Sequence, residues 1–92
     1  MFAAIVRIDL HIPAARSLKD KRSVVRGLKD RIRNLHAAVA EVDHQDLWQR
    51  AALGVAVVSG ERRQVDEQLQ SVRNLVQSTV GAELLDWEER QA

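Results

Sequence analysis

The sequence predicts an α+β domain in two layers, a four-stranded antiparallel sheet with two helices on one face. Three observations predict it. Residues 2–12 alternate apolar and polar positions with period two. Two stretches, opening near residues 17 and 60, repeat their apolar positions with the helical period. Short runs of small and branched apolar residues lie at 37–43, 50–59 and 83–88. The order is therefore strand, helix, strand, strand, helix, strand. With no linker, repeat or low-complexity stretch, residues 1–92 form a single domain.

In the first strand, Phe2, Ala4, Val6, Ile8, Leu10 and Ile12 share one side, and Ala3, Ile5, Arg7, Asp9 and His11 the other. Pro13 lacks an N–H for the ladder and ends the strand. Ser17 opens the first helix, and Asp20 three positions later makes a variant of the capping box. At 100° per residue, Leu18, Val24, Val25, Leu28, Ile32 and Leu35 form its core arc. Lys21 falls on the apolar side of the first turn and is expected to snorkel there. Gly27 sits mid-helix off the core arc, at a cost of about 1 kcal/mol against alanine.

Residues 37–43 make the second strand, and 44–49 a polar connection carrying Trp48. Residues 50–59 make the third strand, apolar on both faces as a central strand would be. Ser59 or Gly60 is expected to cap the second helix, with Glu61 in its first turn. Its core positions are Val65, Leu69, Val72, Leu75 and Val76, and Gly81 is the stop signal. Residues 83–88 form an acidic edge strand, followed by a charged tail. Right-handed crossovers close this order as the ferredoxin-like βαββαβ arrangement.

Charge is the uneven property of the chain. Residues 16–33 hold eight of the fourteen basic residues and only Asp20 and Asp30 in opposition, a local +6 in a chain of net +1. Lys19, Arg22, Arg26, Lys29 and Arg33 fall within about 80° on one helix flank. The topology brings Arg16, the helix start, His11, Asp43, His44 and Trp48 to one end of the molecule. A helix N-terminus offers free N–H groups to an anion, and a tryptophan offers a stacking surface to a base. The candidate nucleic-acid-binding set is Arg16, Lys19, Lys21, Arg22, Arg26, Lys29, Arg33, Trp48 and Arg50. A solvated helix face with Trp48 folded over the core edge accounts for the same residues.

The other sheet face lacks the stacking aromatics of an RNA-recognition-motif surface, since the chain holds only Phe2, Trp48 and Trp87. Its small apolar residues suggest homodimerisation or ligand sensing instead. Ile5, Ala56 and Val58 would be central, with Arg7 and Glu41 or Asp9 at the rim.

Enzyme chemistry finds little support. The serines have no nucleophile-elbow context, the four isolated glycines form no phosphate loop, and the absence of cysteine removes thiolate chemistry. His11, His44, Asp9, Asp43 and Asp46 have no specific metal or acid–base spacing. The expectation is a non-catalytic protein without cofactor or metal. With no apolar run near the ~20 residues of a membrane helix and a first stretch interrupted by Arg7 and Asp9, it is expected to be cytoplasmic, with no membrane association.

Two stretches resemble the YlxP-like family, small bacterial domains of unassigned function. One is Arg16-Ser17-Leu18-Lys19-Asp20-Lys21-Arg22-Ser23. The other runs Val39-Ala40-Glu41-Val42-Asp43-His44-Gln45-Asp46-Leu47-Trp48-Gln49-Arg50-Ala51, then Leu53-Gly54-Val55. The similarity extends over residues 2–87. It implies a ferredoxin-like fold, and gene neighbourhoods with translation-initiation and ribosome-maturation factors, hence an RNA or ribosome partner. It carries no established catalytic residues.

Overall fold

A computed structural model describes residues 1–91. Strand β1 (Phe2–His11) lies inside the sheet because its inward positions are wholly apolar. Ala4, Ile8 and Leu10 are completely buried and Val6 nearly so. It pairs antiparallel with β3 (Arg50–Ser59) on one side and with β4 (Glu83–Gln91) on the other. Strand β2 (Ala38–Asp43) pairs with β3, so the order is β2-β3-β1-β4. Helices α1 (Leu18–Arg33) and α2 (Arg62–Ser78) cover one face of this sheet. Val25, Leu28 and Ile32 of α1 and Val65, Leu69, Val72 and Val76 of α2 join the strands in one core cluster. This is the ferredoxin-like βαββαβ fold the periodicities predict. Full burial of each large aliphatic chain contributes about 1.5–3 kcal/mol.

Element ends depart from the sequence expectations in three places. The α2 N-cap is Glu61, without a side-chain cap bond. The Ser59 hydroxyl instead accepts the Glu61 N–H at 3.2 Å and donates to Gln64 Oε1 at 2.6 Å. Strand β4 continues to Gln91, so the charged tail is paired strand: Glu88, Glu89 and Arg90 sit opposite Arg7, Val6 and Ile5. Two pairings are irregular, one between Asp9 and Leu10 against β4, the other between Glu41 and Asp43 against β3. The second brings Val42 against Gly54, where an added Cβ would stand 2.9 Å from Val42 Cγ1. Helix α2 ends at Thr79, whose backbone is extended, so Gly81, with φ +91, shapes the turn into β4 and does not itself cap the helix.

Candidate nucleic-acid interface

Helix α1 starts where its capping residues dictate. Ser17 is extended, and its hydroxyl accepts the Asp20 N–H at 3.1 Å. The Asp20 carboxylate reaches back to the Arg16 N–H at 3.0 Å, one residue before the usual capping-box partner. The apolar arc fixes the rotation of the helix, with Leu28 and Ile32 fully buried. That rotation leaves Arg16, Lys19, Arg22 and Arg26 exposed and Lys29 half-buried. Among the described residues, none of these five forms an ion pair. Arg33 is exposed but meets Asp30 at 3.1 Å, a pair between half-exposed side chains that holds little energy. From Lys19 to Arg33 the stripe runs about 21 Å along the helix.

Lys21 leaves this set. Its side chain is buried, only 1% exposed, and points away from the stripe. The ammonium donates to His44 O at 2.6 Å and Gln45 O at 3.3 Å and faces Glu41 Oε2 at 3.0 Å. The expected snorkel does not form, because loop carbonyls and a carboxylate replace water around the cation. Glu41 therefore sits on the core side of β2 rather than at a rim of the open sheet face. Arg50 is also separated from the stripe. It lies opposite His11, and its Nη2 stands 3.8 Å from Asp9, on the sheet face away from the helices. Its Nε is buried and makes no hydrogen bond.

The predicted meeting of segments at one end is present. Lys21 ties the 44–49 loop to the first turn of α1. The Gln49 side-chain amide donates to Pro13 O and Ala15 O, both at 3.2 Å, and the Gln49 backbone carbonyl accepts the Ile12 N–H at 2.9 Å. The left-handed backbone at His44, φ 61, is held from both sides, by Lys21 on its carbonyl and Asp43 on its N–H. Trp48 rides on this loop with 54% of its surface exposed. The ring is thus presented outward instead of folded over the core edge.

A second cluster occupies the open sheet face. Arg7 donates to both Asp9 oxygens, at 3.0 and 3.3 Å, and to Asp43 at 3.2 Å. Asp9 first and Asp43 second hold the guanidinium charged, above its ordinary range. The Asp43 carboxyl is held below the usual carboxylate value, first by the His44 N–H at 2.8 Å and then by Arg7. His44 Nε2 is 3.8 Å from Asp9. His11 engages Glu83 on β4 instead, at 3.2 Å. Among the described residues no group of three or more His, Asp or Glu could hold a metal ion, and no helix is long and apolar enough to cross a membrane.

Sequence reasoning placed Lys21 on the right side of the helix but missed its partners. Its position on the apolar arc was the available signal. The Glu41 partnership depends on the β2 register, which no local pattern encodes.

Comparison with known proteins agrees with this architecture. The model of a family described as "Protein of unknown function (DUF503)" matches residues 3–89. The uncharacterized protein YlxP of Bacillus subtilis (strain 168) is 38% identical over 65 residues, covering 70% of this chain and 71% of that protein. Both stretches that resemble the family fall within residues 3–89. Among solved structures, the de novo designed protein LFR1 1, with a ferredoxin fold, superposes with a TM-score of 0.56 at 11% identity. The match covers 99% of this chain and 85% of the designed one, and at that identity the likeness concerns the fold alone.

Proposed function

This chain belongs to the DUF503 family, and for it we propose a non-catalytic role in the cytoplasm, binding RNA, free or within the ribosome, through the basic flank of α1. The supporting observation is the row of Arg16, Lys19, Arg22 and Arg26, exposed and without a carboxylate partner among the described residues. Long, hydrated cations at helical spacing reach phosphates more readily than base edges, so recognition is by charge and shape. Lys29 and Arg33 extend the row, and Trp48 adds a stacking surface beside its first turn. Lys21 and Arg50 take no part in phosphate contact.

The test is copurification of the tagged full chain from cells, with and without ribonuclease, beside a Lys19→Ala/Arg22→Ala/Arg26→Ala variant. Wild type is expected to retain RNA or ribosomal particles at moderate salt and to lose them after ribonuclease. The variant is expected to lose them without treatment. Equal recovery from wild type and variant removes the helix flank as the binding surface.

A further inference from the structure

The sheet face turned away from the helices is unusually apolar at one end. An antiparallel face in contact with water normally alternates to polar residues. Here β3 presents Gly54, Ala56 and Val58 outward, with Ala52 on the same face but fully buried, and the bordering β2 presents Ala38 and Ala40. Ile5, Val42 and Val58 are 48%, 49% and 61% exposed. Ile5 and Val42, with Ala38, Ala40, Gly54 and Ala56, border a shallow concavity of about 580 Å³.

We propose that this face is an isologous interface that joins two copies of the chain sheet to sheet. Three features favour a second copy as the occupant. The first is shape. Ala38, Ala56, Ile5 and Arg90 lie in one row across the sheet, and Ala40, Gly54, Arg7 and Glu88 in the next. A two-fold axis between the sheets, parallel to the strands and midway between β1 and β3, sets Ile5 of each copy over Ala56 of the other. The large residue then meets the small one twice, as an isologous contact requires.

Charge is the second feature. Most of the polar border is neutralised within the chain: Arg7 and Arg50 face Asp9 and Asp43, and Arg90 meets Glu88 at 2.8 Å, which leaves Asp86, opposite Asp9, as the unpaired acid among the described residues. Two such borders approach with little net repulsion, whereas a polyanion gains nothing from them. Area is the third. Strands of ten, six, ten and nine residues, about 4.8 Å apart, give a flat footprint of roughly 550 Å² per copy. That totals about 1,100 Å² for two copies, just above the roughly 1,000 Å² that a specific interface should clear. A domain of this size, with a thin core, gains from covering it.

The inference does not rest on RNA binding, since it uses the opposite face. Its test is sedimentation equilibrium of the full chain over roughly 5–200 µM, beside Ala56→Arg and Val42→Asp. Wild type is expected to approach twice the 10.4 kDa chain mass. Ala56→Arg is expected to stay at the single-chain mass throughout with an unchanged circular dichroism spectrum, its dimer dissociation constant raised at least about 100-fold. Val42→Asp, on the edge strand that this axis lays over the acidic β4 of the other copy, disturbs folding least and is expected to weaken the dimer in the same direction. A wild type that stays monomeric at the highest concentration overturns the proposal. So does a folded Ala56→Arg that still dimerises, because pairing along the β2 edge would leave residue 56 outside the contact.

Discussion

At the scale of single residues, Lys21 connects the two stretches that resemble the family. Its ammonium sits among His44 O, Gln45 O and Glu41, so one buried cation holds the Trp48 loop against the first turn of α1. Removing only the cation leaves Glu41 largely buried and unpaired. Lys21→Met is therefore expected to cost about 3 kcal/mol in urea unfolding, and Lys21→Met/Glu41→Leu to recover most of it. A single-variant loss below about 1 kcal/mol contradicts the clamp. Asp43 gives a pH signature. Its folded carboxyl is held below the ordinary value by the His44 N–H and then by Arg7, so the unfolded chain takes up the proton first as pH falls. The stabilisation is fully present above the unfolded carboxylate pKa of about 4 and is lost as pH drops through the depressed folded value. Asp43→Asn should flatten the fall of the unfolding midpoint below that pH, and an unchanged slope would show that the carboxylate is uncoupled. The side of the helix on which Lys21 lies was legible from spacing. Its partners were not, because two of them are backbone carbonyls on a loop 23 and 24 residues away.

Helix α1 carries separable faces, a core arc and a solvent flank. Leu28 is fully buried, so Leu28→Ala should cost about 2–5 kcal/mol. Alanine at Lys19, Arg22 and Arg26 should shift stability by no more than about 0.5 kcal/mol each. Gly27 lies between these faces, and a Cβ there would meet nothing nearer than Arg31 Nη2 at 4.0 Å. Gly27→Ala should therefore stabilise the fold by about 0.5–1 kcal/mol in chemical denaturation, with destabilisation pointing to an unseen constraint. The helices and three of the strands were legible because period two and period 3.6 differ sharply over ten or more residues. The end of β4 was not. Its residues 88–91, EERQ, carry no apolar alternation, and only pairing with β1 orders them as strand. The Ser59 side chain could bond forward or to Gln64, a choice that sequence spacing leaves open.

Over the whole molecule, the two proposed surfaces lie on opposite sides of the sheet. The charge is polarised as well, with the α1 flank strongly basic and β4 contributing Glu83, Asp86, Glu88 and Glu89 at one sheet edge. A polyanion is drawn to one side and turned from the other. A sheet-to-sheet dimer would carry its two basic helices on its outer surfaces, free for separate contacts, so Ala56→Arg should leave the salt dependence of RNA binding per chain unchanged. The fold was legible from the order of elements, and so was the basic flank. Which cations remain free was not, because that depends on where Glu41, Asp9 and Asp30 fall in three dimensions. The most direct measurement is the affinity of the chain for a labelled single-stranded RNA across a salt series, by fluorescence anisotropy. Five cations unpaired among the described residues predict a log–log slope near −3.5, at about 0.7 per phosphate, falling to about −1.4 when Lys19, Arg22 and Arg26 become alanine. A slope near zero, or one that the triple substitution leaves intact, would contradict phosphate binding by the α1 flank.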